Sequence, residues 1–261
     1  MVKSMMKAYL CKFLNEFSFL EEACETLTQT YAAITTDTSL TADWEGILKR
    51  YDEEIWHTSM QDLKWKMMEC KSVHGVWGTA SAAFQSRFFQ MKRFGFGKLQ
   101  FNLQQFDSDY DKNGVKLTPE SQVIAVHIPR TGTRLDRETL VKSYAKAAEF
   151  YRKIFEGKPI VFVCHSWLLF PKNREVLSTQ SNLYAFMSDY DIIEWGEYED
   201  YSQVWRLFDR KYYGDVESLP QDTSLRRAYA DWIRKGEKTG WGYGVYVYKD
   251  SNKRGDEYAI S

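Results

Sequence analysis

An α+β fold, with a mostly helical N-terminal half packed on a β-sheet that contains a βαβ crossover, follows from three observations. All five prolines lie after residue 118 and Gly46 is the only glycine before Gly75, so the first part of the chain lacks the residues that interrupt helices. From Gly95 onward the apolar period shortens from three or four residues to two. Farther on, a β-branched run, a helical pattern of about 19 residues and a second apolar run follow one another through short loops. This is the arrangement of a right-handed crossover between parallel strands.

The helical half is read from three stretches, 5–15, 19–34 and 42–56. Tyr9, Phe13 and Phe17 form one apolar stripe, and Leu20, Cys24, Leu27 and Tyr31 form another. Thr41 or Asp43 is placed to cap the third helix. In KLQFNLQQF, Leu99, Phe101 and Leu103 alternate with Gln100, Asn102 and Gln104, which predicts a strand with one buried face. A turn-rich segment, DSDYDKNG, closes at Asn113-Gly114. VIAVHIP then predicts a strand over 123–128 that stops at Pro129, and Asp136 caps a helix over 137–155. Leu140, Tyr144, Ala147, Ala148 and Tyr151 form that helix's apolar side, Gly157 and Pro159 end it, and IVFVC makes the second strand, 160–164. Downstream come a helix near 172–177, a strand in DIIEW, a helix from an Asp200 cap through Phe208, another over 225–235 capped by Thr223, and a last strand in WGYGVYVY. The expected organisation is a helical region 1–85, an α/β domain 86–250 and a polar tail 251–261, packed as one cooperative unit.

Composition narrows the function. The chain has 35 Lys plus Arg against 36 Asp plus Glu, and the balance is even along its length, so no basic excess points to nucleic acid. No apolar run reaches the roughly 18 residues that span a bilayer, because His165 and Ser166 interrupt the longest candidate. Cys11, Cys24, Cys70 and Cys164 form no C-x-x-C pair, which argues against zinc and against a disulfide framework. The chain therefore reads as a soluble cytoplasmic protein with reduced thiols and a small-molecule substrate.

Ligands of open α/β sheets collect beyond the carboxyl ends of parallel strands. That rule gathers His127 and the loop 129–134 beside Cys164, His165, Ser166 and Trp167. The loop leads into a helix N-terminus, where free amides and the helix dipole favour phosphate; Arg130 and Arg134 add charge and Gly132 permits close approach. The same loop also reads as a plain strand-to-helix turn with both arginines solvated. Cys164 beside His165 suggests an activated thiol, but adjacent strand residues point to opposite faces. Cys164 then reads as a small buried apolar residue, and a cysteine hydrolase is the weakest hypothesis. His127 shares a face with Val123 and Ala125, as either a core histidine or a base. His57 and His74 lack partners at ligand spacing, so no metal is expected.

The order of HIP, CHSWLL, SNLYAF, LPQDTSLRRA and the final glycine-aromatic strand resembles the GNAT-like C-terminal domain of bacterial acyltransferase-domain proteins. FFQMKRFGFGKLQF resembles the segment that joins that family's helical half to it. The resemblance implies a GNAT-like mixed sheet and an acyl-CoA lying in the splay between strands 123–128 and 160–164. Its pyrophosphate would meet Ile128, Arg130, Thr131, Gly132, Thr133 and Arg134. RTGTRL departs from the family's pyrophosphate pattern, Gln or Arg followed by x-x-Gly-x-Gly or x-x-Gly-x-Ala. An acyltransferase acting on an amine or similar acceptor would use His127 as base and Cys164 or Ser166 as proton donor to the leaving thiolate, with His165, Trp167 and Asn182 near the substrate. The competing expectation is a non-catalytic GNAT-like module that binds another small ligand or a protein partner.

Overall fold

The computed structural model describes residues 12–16, 49–79, 81–130 and 132–249. The helical patterns at 5–11, 19–34 and 42–48, with Cys11, Cys24, Thr131 and the tail 251–261, lie outside the described residues. Helix 42–56 does not run unbroken: residues 49–50 are helical, but the chain is extended at Asp52 before α1 begins, Glu53–His74. Asp52 itself caps α1, its carboxylate accepting from Ile55 N at 2.9 Å, a role incompatible with helical backbone at that residue. Gly75 closes α1 in the left-handed region, φ 77°, its amide donating to Lys71 O. A second helix, α2, spans Ala82–Phe89.

Next come β1 (Phe94–Phe96), β2 (Leu99–Gln105), β3 (Tyr110–Lys112), β4 (Val115–Leu117) and β5 (Gln122–His127). The expected crossover follows as α3 (Arg137–Phe155) and β6 (Val161–Ser166), then the short helix α4 (Asn173–Val176), α5 (Asn182–Ser188), β7 (Asp191–Glu197), α6 (Trp205–Phe208), α7 (Ser224–Arg234) and β8 (Gly240–Val247). Asp136 caps α3 through Thr139 N at 2.9 Å, and Thr223 caps α7 through Arg226 N. Asp200 does not begin a helix: it accepts from Ser202 N at 2.8 Å, the two-residue turn open to any Asp, and α6 starts only at Trp205. Asn113 and Gly114, φ 54° and 78°, make the turn of a separate β3–β4 hairpin, the mirror-image turn that suits strand twist.

Six strands form a mixed sheet in the order β1-β2-β5-β6-β8-β7, in which only β5 and β6 pair in parallel. Leu99, Phe101, Ile124, Val126, Phe162 and Cys164 pack with Leu140, Tyr144, Ala147 and Tyr151 of α3. Val123, Ala125, Val161, Val163, Tyr243 and Val245 pack on the opposite face with Phe106 and the hairpin's Tyr110, Val115 and Leu117. Both faces are covered, so VIAV is apolar throughout and does not alternate. The helical part docks where α1 meets β1: a Cβ on Gly95 would come within 2.8 Å of the Thr58 backbone, and Gly95 N donates to Ser59 Oγ at 2.8 Å. Gln100 and Asn102 are consequently buried, not solvent-facing as the alternation of β2 predicts. Among the described residues, no helix is long and apolar enough to cross a membrane.

Candidate functional site

The β5–β6 ladder is short. It holds at Ile124↔Phe162 and Ala125↔Val163, while β5 stays paired with β2 as far as His127 and β6 with β8 as far as Ser166. Beyond Ala125 and Val163 the two strands part, leaving the facing edge of β5 without a strand partner. A cleft of about 720 Å³ opens there, within the range of sites that enclose a small-molecule ligand. Val126, Ile128, Leu135, Cys164, Leu168 and Leu183 are among its apolar lining; its polar lining includes Asp62, Lys66, Glu69, Lys98, His127 and His165.

His127 is held in one tautomer. Asn102 Nδ2 donates to Leu103 O at 3.1 Å, which orients the amide so that Oδ1 accepts from His127 Nε2–H at 2.7 Å. The lone pair is then on Nδ1. Phe84 meets the imidazole edge-on at 5.0 Å between centroids. Burial, reinforced by the Arg93 and Arg87 charges, pushes the imidazolium pKa well below the ordinary 6.5, so the ring is neutral at pH 7. Arg93 is fully buried over the Phe84 face, 3.2 Å from its centroid, and burial lowers its pKa to about 9.

Cys164 and His165 diverge as strand parity requires. The thiol packs with Ile124 and Phe162, 2% exposed, and burial pushes its pKa up to about 12. The His165 ring stacks on Trp241 at 4.6 Å. Ser166 caps a one-turn 3₁₀ helix, Trp167–Leu169, its Oγ accepting from Leu168 N at 3.2 Å. Trp167 O accepts from Asn173 Nδ2, whose Oδ1 accepts from Tyr229 OH, a buried chain that fixes the cleft's Trp167 corner.

At the other rim, Arg130 is ion-paired with Asp209, which also binds Arg226. Thr133 lines the cleft, whereas Gly132 (φ 71°) and Arg134 are exposed and stand outside its lining. Asn182 is also exposed outside the lining, and the following residue, Leu183, reaches in. His57 lies at the surface beside Glu16 and Glu53, with ligand atoms all within 4.8 Å, and His74 meets Trp205 edge-on. Sequence spacing could not bring Glu16 to His57, because the helices that carry them meet only in the folded chain; ordinary ion pairing accounts for the cluster.

Asp62, Gln85, Lys98, Tyr198 and Arg206 line the cleft from parts of the chain that no sequence pattern joins to His127. The one local signal was the polar half of the β2 alternation, which carries Gln100 and the Asn102 that orients His127.

Residues 94–246 match the family described as GNAT-like C-terminal domain. Among solved structures, an acyltransferase in complex with decanoyl-CoA is similar with a TM-score of 0.65 and 19% identity, over 87% of this chain and 63% of that one. An acyltransferase in complex with decanoyl-CoA and teicoplanin gives 0.63 and 20%, over 76% of this chain and 59% of the other. The chain thus spans about three fifths of the length of these structures. No curated protein matches it.

Proposed function

The chain belongs to the GNAT-like C-terminal domain family, and from that premise we propose that it moves an acyl group from acyl-CoA to an amine or similar small acceptor. The parting of β5 and β6 carries this reading. It leaves a free strand edge beside a long apolar wall, which suits a pantetheine arm and an acyl chain, and Arg130 and Thr133 stand at the rim where phosphates would lie. Acyl-CoA, when bound, supplies the activated acyl group. The neutral Nδ1 of His127, held by Asn102 and facing the cleft, removes the acceptor's proton. Backbone amides at the free edge of β5 polarise the acyl carbonyl. Cys164, protonated throughout the neutral range, or the Ser166 hydroxyl returns a proton to the leaving sulfur. The solved acyltransferases crystallised with decanoyl-CoA support this choice of donor.

A second reading, a non-catalytic module for another small ligand or a protein partner, draws on one observation: Asp209 already engages Arg130 and Arg226, so a phosphate must compete for them. Calorimetry with decanoyl-CoA separates the two. Wild type should bind, Arg130→Ala should bind about tenfold more weakly through loss of a charge-assisted hydrogen bond, and Arg134→Ala should lose less. Thiol release on adding an amine should follow. Absence of decanoyl-CoA binding to wild type refutes the donor site and selects the non-catalytic module; wild-type affinity in both variants refutes the phosphate role of the two arginines; binding without any thiol release refutes transfer to an amine.

A further inference from the structure

At the rim of the cleft, outside its lining, stands an aromatic ring with one face in water. On α1, Asp62, Lys66 and Glu69 line the cleft at spacings of four and three residues, and Trp65 lies among them on the same side of the helix. Asp62 is 2% exposed, whereas Trp65 is 39% exposed. The indole reaches the loop that follows β5: a Cβ on Gly132 would meet Trp65 Cζ2 at 3.6 Å and nothing else within 4 Å. Glycine at 132, φ 71°, lays no side chain on that ring, while Arg130 and Thr133 of the same loop line the cleft. Trp65 therefore flanks the segment to which the phosphates of an acyl-CoA are assigned.

An exposed indole in that place suits a nucleobase. A phosphate held at the rim by Arg130 and Thr133 sends the pantetheine arm and acyl chain into the cleft, and the nucleoside attached to it stays outside, beside the loop. Every base has a flat π-face, and an indole is a matching surface for it. Met68, three residues on and 48% exposed, extends the apolar surface by one side chain. Two side chains fall far short of the roughly 800 Å² per partner that a stable protein interface buries, but they match the size of one base. The acidic groups at this rim, Glu69 and Asp209, are paired with Lys66 and with Arg130 and Arg226, so their charge is compensated.

We propose that Trp65 is the nucleobase platform of the donor site, on which the adenine ring of an acyl-CoA stacks while its phosphates meet Arg130 and Thr133. The inference rests on the acyl-CoA reading and adds a selection to it. A free acyl-CoA carries the base; the same acyl group on phosphopantetheine, alone or attached to a carrier protein, does not. Stacking then favours the nucleotide-bearing thioester. Trp65 precedes the matched segment 94–246, so the helical part of the chain contributes to a donor site whose other contacts come from the sheet half.

The test compares two donors by calorimetry on the full chain. Decanoyl-CoA and S-decanoyl-4′-phosphopantetheine share the acyl chain, the pantetheine arm and a phosphate, and only the first carries adenosine. Trp65→Ala should weaken decanoyl-CoA binding about tenfold, the scale of one base on one aromatic ring, and leave S-decanoyl-4′-phosphopantetheine as in wild type. Trp65→Phe, which keeps a flat face, should restore most of the affinity. The exposed ring should be replaceable without loss of melting temperature; if Trp65→Ala melts lower, Trp65→Leu, apolar but without a π-face, takes its place with the same expectation. Equal weakening of both donors marks a ring that only props the loop and overturns the platform. Wild-type affinity for decanoyl-CoA in Trp65→Ala, or an affinity of Trp65→Phe as low as that of Trp65→Ala, overturns it too, and in each of these cases the acyl-CoA reading stands. Failure of wild type to bind decanoyl-CoA overturns that reading, and the platform with it.

Discussion

Gly242 sits in β8 between two strands, paired with Ser166 on β6 and Trp195 on β7, and its Cα points at the turn that follows β6. A Cβ there would lie 2.6 Å from the Leu169 carbonyl carbon, closer still to its oxygen, and 3.0 Å from Leu169 Cβ. Ordinary contact needs close to 3.5–4.0 Å, so Gly242→Ala must displace backbone by roughly 1 Å. β8 is held by ladders on both sides, which leaves the turn Trp167–Leu169 to give way. Overpacking of this kind costs about 1–3 kcal/mol, at the upper end where the obstacle is main chain. The substitution recovers about 0.4–1 kcal/mol from the restricted unfolded chain, because Gly242 does not have positive φ. The net loss is about 2 kcal/mol, or a fall of about 4–8 °C in melting temperature for a chain of this size. Thermal unfolding followed by circular dichroism reads it directly. Because Trp167 and Leu168 line the cleft, decanoyl-CoA binding should weaken in the same variant. A control, Gly114→Ala, meets no atom within 4 Å, and the left-handed turn it strains lies in the β3–β4 hairpin, so it should leave ligand affinity alone. A melting temperature for Gly242→Ala equal to or above that of wild type would show that the turn is not packed against β8 as described.

Two further outcomes follow from the titrating groups of the cleft. The folded-state pKa of His127 lies well below its unfolded value near 6.5, so its contribution to stability is fully present above that pH and is lost as pH falls. His127→Gln should flatten the decline in stability between pH 7 and 5 measured by urea unfolding, and it should lower amine acylation by about a hundredfold or more; parallel pH profiles in the two proteins would rule out the buried neutral imidazole. Cys164, buried and with its thiol pKa raised to about 12, should resist a disulfide reagent at pH 8 until the protein unfolds, and Cys164→Ala should retain most of the acyl transfer where the Ser166 hydroxyl is the proton donor and lose it where the thiol is. Rapid labelling of Cys164 in the native state would instead restore the thiol as a nucleophile.

What the sequence determined by itself is what local chemistry decides. An Asp136 cap, an apolar stripe and a Gly157–Pro159 stop delimit α3; β-branched runs on either side of it make β5 and β6; a crossover of that length leaves them parallel. Strand ends and strand parity follow from the same local information. They bring His127, Cys164, His165 and Trp167 to one cleft and turn Cys164 away from His165. The tertiary structure alone decided which groups meet across the chain. Asp209 reaches Arg130 over 79 positions, and Asn102 is set against His127 by the register of β2 on β5. Asp62 and Gln85 reach the cleft because α1 and α2 pack over the face of β2 that its alternation assigned to water. A period of two states which side chains share a face, but whether that face meets solvent or a second layer depends on where helices distant in sequence come to rest. That placement depends on contacts such as Gly95 against Ser59, which no local pattern encodes.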